Sequence, residues 1–125
     1  MILYNMRRKM KLFVYGTLRE GEYNHIFVEN SKFIKNVYTK PEWVFYDLGG
    51  FPAACDGGST AIFGELYEVT KDTLNKIDIL ESHPEFYVRR KILLETGEEV
   101  YSYILRDAHC NGCRVIKSGD WKNKK

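Results

Sequence analysis

At 125 residues, with 44% hydrophobic and 29% charged side chains, the chain suits one globular domain and is too short for two. Nineteen basic and seventeen acidic residues leave a net charge of +2, and the basic ones are dispersed except near the ends, which argues against a nucleic-acid surface. No window reaches the roughly 18 apolar residues of a membrane span.

Residues 1–10 carry their charges after an apolar patch, with no apolar stretch behind them, so they read as a flexible extension and not a secretory signal. Three cysteines are an odd count and a poor disulfide framework, and a reducing cytoplasm is the expected setting. The domain is expected over 11–121, followed by a basic tail at 122–125.

Residues 11–16 read as a buried first strand ending at Gly16. A short helix is expected over about 21–30, with Ile26 and Phe27 toward the core. The aromatic stretch 32–48 is interrupted by Pro41, which removes a ladder donor and implies two strands or one bent edge strand. Gly/Pro loops follow at 48–53 and 56–59. Residues 60–69 alternate as a strand, and Gly64 marks a bulge or a close backbone approach. Thr70 is a good N-cap for a helix over about 71–82, which Pro84 stops. Strands at 86–95 and 98–106 meet at a Thr96-Gly97 turn, and 107–121 is loop-rich. The class is α+β: about six strands and two short helices, expected to form a small mixed β-barrel.

At about 100° per residue, Leu74, Ile77 and Glu81 share one helical stripe, with Leu80 on one side and Asp78 on the other. A carboxyl aimed where leucine and isoleucine point has its charged form disfavoured, and such a group exchanges protons near neutral pH. The alternatives are escape to solvent or pairing with Arg89 or Arg90, and Asp78 reads as a solvated or hydrogen-bonded helix residue. The turn Tyr15-Gly16-Thr17-Leu18 offers the other half of a site. A glycine there can take positive φ and leaves no side chain in the way, so that successive amides can face an anion or a developing oxyanion. The plainer reading is a strand exit that only turns. Neither a P-loop nor a dinucleotide fingerprint occurs.

Cys110 and Cys113 form a CxxC in His109-Cys110-Asn111-Gly112-Cys113, but no second CxxC exists, so zinc and dithiol chemistry both rank below a surface loop with neighbouring thiols. His25 reads as a packing or capping residue beside the first loop and His83 as exposed. Trp43 and Trp121 read as core or lid aromatics, and Cys55 as packing near the 50–53 loop. No metal site and no cofactor are expected.

Taken in order, Tyr15-Gly16-Thr17-Leu18-Arg19, Gly21, Asn24-His25, Leu48 to Ala53, Gly64-Glu65-Leu66-Tyr67, Ile77 to Arg89 and Ser118-Gly119-Asp120-Trp121 resemble the motifs of the γ-glutamylcyclotransferase-like superfamily. The likeness runs from Lys11 to Trp121, and the run Glu81-Ser82-x-Pro84-x-x-Tyr87-x-Arg89 is most similar to the γ-glutamylamine cyclotransferase branch.

The resemblance implies a small barrel with a pocket between the Tyr-Gly loop and the helix acid. Tyr15, Gly16, Thr17 and Leu18 would be the substrate loop, Glu81 the acid/base, and Tyr87 and Arg89 positions beside the pocket. It also implies a cofactor-free acyl transfer on a small γ-glutamyl substrate that releases 5-oxoproline. A monomer or weak dimer is expected, and the composition points to no nucleic-acid or membrane partner. The competing class is a binding module that holds an anionic metabolite on the same fold without turnover. An interaction protein with a vestigial pocket is a third.

Overall fold

The computed structural model describes residues 8–107 and 110–124. The first strand, β1 (Lys9–Val14), begins two residues earlier than expected, with Lys9 and Met10 paired to Thr70 and Val69. Its Leu12-Phe13-Val14 run is continuous because the strand is central and covered on both faces. Phe13 joins the core cluster of Trp43, Phe45, Leu66 and Ile104. Leu12 and Val14 join the other cluster, with Tyr67, Leu74, Ile77 and Tyr103. Each such side chain contributes about 2 kcal/mol by burial alone.

Around β1 a five-stranded sheet runs in the order β2 (Lys32–Tyr38), β5 (Phe63–Thr70), β1, β7 (Glu99–Leu105), β6 (Tyr87–Leu93). β1 is antiparallel to β5 and parallel to β7. A separate three-stranded sheet has the order β4 (Pro52–Asp56), β3 (Trp43–Asp47), β8 (Arg114–Val115). The described residues therefore hold eight strands in two sheets, which do not close into the expected barrel. The edges beyond β2 and β6 touch at a single bridge, Thr39 to Leu94, where Lys40 N–H still reaches Leu93 O at 3.1 Å. Pro41 follows and has no N–H to extend the pairing. The two strands missed in sequence are short: β4 is Pro-Ala-Ala-Cys-Asp, with no β-branched or aromatic residue, and β8 has two residues, so neither carries a strand pattern of its own.

Pro41 does divide the 32–48 stretch into β2 and β3, and the Thr96-Gly97 turn does join β6 to β7. Gly64 is a close approach and not a bulge. A Cβ there would lie 2.4 Å from Val14 O and 2.6 Å from the Phe13 ring, while the irregular register falls in β2 between Phe33 and Lys35.

Among the described residues there is one α-helix, α1 (Lys71–Leu80). Thr70 caps it as expected, accepting from Thr73 N–H at 3.1 Å. Leu74 and Ile77 are fully buried beneath it. The helix stops before Pro84: Glu81 is its C-cap, and Ser82 turns the chain with φ 53°.

The second expected helix is absent. Residues 21–30 form successive turns with one three-residue 3-10 segment, His25–Phe27, and Ile26 is 67% exposed. Local polar bonds prevail there: Asn24 N–H donates to Thr17 O at 2.9 Å and Asn24 Nδ2 to Thr17 Oγ1 at 3.0 Å.

Candidate active site

Leaving β1, the chain is pinned at both ends of the Tyr15–Leu18 turn. The Tyr15 hydroxyl donates to Tyr103 O at 2.6 Å and accepts from Ala54 N–H at 3.2 Å, tying the turn to β7 and β4. Leu18 is buried in the core cluster beneath α1, and its carbonyl meets His25 Nδ1 at 2.9 Å, so His25 supports the loop as expected. Between these anchors, the amides of Gly16, Thr17 and Leu18 donate to no protein acceptor among the described residues. Buried backbone donors are otherwise almost always paired in a folded chain.

Gly16 does not take the positive φ anticipated for it. Space is what requires a glycine, because a Cβ would sit 2.6 Å from Pro52 Cγ and 2.7 Å from Pro52 Cδ. Gly16→Ala is expected to fold with a loss of about 1–2 kcal/mol from overpacking and to weaken substrate binding by displacing the loop. Thermal melts and KM check this, and an unchanged KM would separate the loop from the ligand.

Opposite the loop, the end of α1 presents Glu81. The two line one cavity of about 270 Å³, together with Tyr87, Ser102 and Tyr103. Glu81 is half-buried, and no hydrogen bond or ion pair reaches its carboxyl among the described residues. The arginines that might have neutralised it are engaged elsewhere: Arg89 holds Asp78 at 2.8 and 3.2 Å, and Arg90 holds Asp56 at 2.7 and 2.6 Å. Desolvation without a compensating partner raises the Glu81 carboxyl from 4.5 to about 7. Asp78, on the same helix, goes the other way. Although burial opposes it, bonds from Arg89 and Tyr103 hold its carboxyl below the usual range.

The phenols around the cavity are committed donors. Tyr87 OH bonds Pro52 O at 2.6 Å and Tyr103 OH bonds Asp78 Oδ1 at 2.6 Å. Burial is the main reason that Tyr15, Tyr87 and Tyr103 are all held protonated.

A buried ion network braces the loop from behind. Arg19 and Glu65 are each 5% exposed, and Arg19 Nε donates to Glu65 Oε2 at 3.1 Å while Nη1 reaches Asp120 Oδ1 at 2.8 Å. Glu65 also accepts from Glu20 N–H and Tyr67 OH, both at 2.9 Å, and Trp121 Nε1 donates to Glu22 at 2.8 Å. Three separated motifs, Tyr15 to Arg19, Gly64 to Tyr67 and Ser118 to Trp121, thus meet behind the turn.

Other singled-out residues lie away from the cavity. Arg89 packs over Tyr101 beside Asp78 and does not line it. His83 is half-buried, not exposed, and its Nδ1 accepts from Arg89 N–H at 3.0 Å. Cys55 is fully buried, and burial lifts its thiol to about 11. Trp43 and Trp121 are buried core rings. Cys110 and Cys113 are joined as a disulfide across the Asn111-Gly112 turn, and His109 lies outside the described residues. No group of three or more metal-binding side chains occurs among the described residues.

The family model for gamma-glutamyl cyclotransferase, AIG2-like, matches residues 12–123. The chain belongs to the AIG2-like gamma-glutamyl cyclotransferase family. Within it, a Vibrio cholerae protein provisionally named gamma-glutamylcyclotransferase is 41% identical over 110 residues, 88% of this chain and 93% of its own length. A Methanocaldococcus jannaschii protein with the same provisional name is 38% identical over 116 residues, 90% of this chain and 95% of its own. Among solved structures, a uropathogenic E. coli-specific protein superposes with a TM-score of 0.80, covering 92% of this chain and 94% of its own at 21% identity, a likeness of fold alone. No helix of the described residues is long and apolar enough to cross a membrane.

Several cavity residues escaped sequence reasoning. Ser102 and Tyr103 belong to an ordinary-looking strand, and the sign available was a serine in the apolar row Val100, Ser102, Ile104. Ser102 Oγ donates to Phe13 O at 2.8 Å. The Arg19–Glu65 pair gave no sign beyond its motifs, since two charges 46 positions apart meet only through the sheet.

Proposed function

We propose that the chain is a cofactor-free γ-glutamylamine cyclotransferase with Glu81 as its general acid/base. The observation that carries this reading is the unpaired Glu81 carboxyl, raised to about 7, sharing one cavity with the unpartnered amides of Gly16, Thr17 and Leu18.

The chemistry follows from these groups. Glu81 in its ionised form takes a proton from the substrate's α-ammonium, and the freed nitrogen attacks the γ-amide carbonyl of the same molecule. The new C–N bond closes a five-membered ring. The attacking nitrogen then gives up its second proton, the old C–N bond breaks as the departing nitrogen takes the proton that Glu81 holds, and the released amine takes up the second proton as an ammonium. The products are 5-oxoproline and a free amine. Because nucleophile and electrophile belong to one substrate, the protein's main contribution is to fold the glutamyl chain so that nitrogen and carbonyl carbon approach within about 3–3.5 Å. The loop amides serve the polar head of the substrate, and Tyr15 and Tyr87 hold the loop and β4 in place around it. Tyr87 is a positioning residue in this reading.

The test is incubation of the purified protein with γ-glutamyl amines and dipeptides, following 5-oxoproline and released amine. Product from at least one amide is expected. Tight binding of a γ-glutamyl amide with no product would convert the reading to a metabolite-binding module.

A further inference from the structure

Glu81 is the only acidic or basic side chain among the described residues that line the cavity. Its rim is aromatic. Tyr23 is 69% exposed and Phe86 41% exposed, and Phe51 meets Phe86 edge-on with ring centroids 6.1 Å apart. Leu80 completes the apolar wall. Tyr23 OH donates to Gly50 O at 3.2 Å, so the rim joins the two loops that flank the opening. Exposed rings gathered around one opening, with no charge among them, mark a surface made to be covered by apolar matter.

The γ-glutamyl group must curl on itself to cyclise, so it occupies the enclosed part beside the loop and Glu81. Only the substituent on the amide nitrogen projects outward. On the cyclotransferase reading above, we infer that Tyr23, Phe51, Leu80 and Phe86 form a subsite for an uncharged, apolar amine substituent, and that this chain acts on γ-glutamyl amides of alkyl or arylalkyl amines in preference to those whose amine portion ends in an ammonium or a carboxylate. An ionic terminus would lose hydration against these rings. The rim offers a carboxylate no cation. It offers an ammonium only ring faces, whose attraction recovers part of the lost hydration, and no carboxylate beyond Glu81, which the reaction needs.

Three γ-glutamyl amides of equal length test this: the n-pentyl, 4-aminobutyl and 3-carboxypropyl amides. They share the reacting bond and differ only at the far end. With wild-type protein and 5-oxoproline as readout, kcat/KM for the pentyl amide is expected to exceed both others at least tenfold, chiefly through KM. In Phe86→Lys the 3-carboxypropyl amide should gain at least tenfold relative to the pentyl amide, a change of preference that misfolding cannot produce. Product from all three at similar kcat/KM overturns the subsite and leaves the cyclotransferase standing, as does better turnover of either charged amide. No 5-oxoproline from any of them overturns the cyclotransferase, and the subsite with it.

Discussion

Replacing Glu81 with glutamine is expected to reduce kcat by about two orders of magnitude or more while making the protein more stable above neutral pH. The first effect follows from the loss of a proton carrier in the site, for which the usual range is about 10²–10⁴-fold. The second follows from linkage. The folded-state carboxyl titrates near 7 and the ordinary value is 4.5, so folding favours the protonated form.

Below pH 4.5 the carboxyl is protonated in both states, and the wild type and the variant should differ little. Between 4.5 and 7 the unfolded chain ionises first, and wild-type stability falls as pH rises. Above 7 the loss is complete, at most about 3 kcal/mol for a shift of this size, and less because the group is only half-buried. Glutamine keeps the shape and never bears the charge. Melting curves at pH 5 and pH 8 should therefore show a gap that opens with pH, in the variant's favour. In wild-type protein, kcat/KM should climb through pH 7 as the base becomes ionised. A variant with wild-type turnover would remove Glu81 from the chemistry, and a gap that closes toward pH 8 would show that its carboxyl is not destabilised by burial.

Arg19→Met is expected to be the most destabilising of the substitutions considered, at about 3 kcal/mol. It strands the buried Glu65 carboxylate, and breaking a buried pair from one side costs about 3–5 kcal/mol. The lower figure applies because Glu20 N–H and Tyr67 OH still serve Glu65. Changing Glu65 to glutamine in the same chain should recover part of the loss, since it removes the uncompensated charge. Urea denaturation of the two single variants and the double variant measures this coupling. Equal additive losses would mean that the pair is not energetically joined. Arg19 follows the Tyr15–Leu18 turn directly and its N–H bonds Gly16 O at 3.1 Å, so the same substitution should also raise KM.

Much of the candidate site was legible before any coordinates. Thr70 announced the start of α1, and the spacing of Leu74, Ile77 and Glu81 placed the acid on the covered face, because a helix repeats every 3.6 residues. The loop at Tyr15 to Leu18 was visible as a glycine at the end of an apolar run. Of the two reasons for that glycine, the absent side chain holds and the positive φ does not. Positive φ is a local property that sequence can suggest, whereas contact with Pro52, 36 positions away, is not.

The second helix failed for a similar reason. Ile26 and Phe27 offered apolar side chains to a short helix, but Asn24 binds Thr17 and takes the backbone elsewhere. β4 and β8 were missed because their register is imposed by β3 and not by their own residues.

Local chemistry in the chain determined the capped helix, the inward face of Glu81, the turn after β1 and the division at Pro41, since each depends on residues within a few positions of one another. Tertiary structure alone decided that two sheets stay open, that Arg89 and Arg90 go to Asp78 and Asp56 and leave Glu81 without a counter-charge, and that the rim is aromatic. These outcomes depend on which distant groups meet, and the pairing of distant groups is settled by packing two sheets and a helix around a shared core.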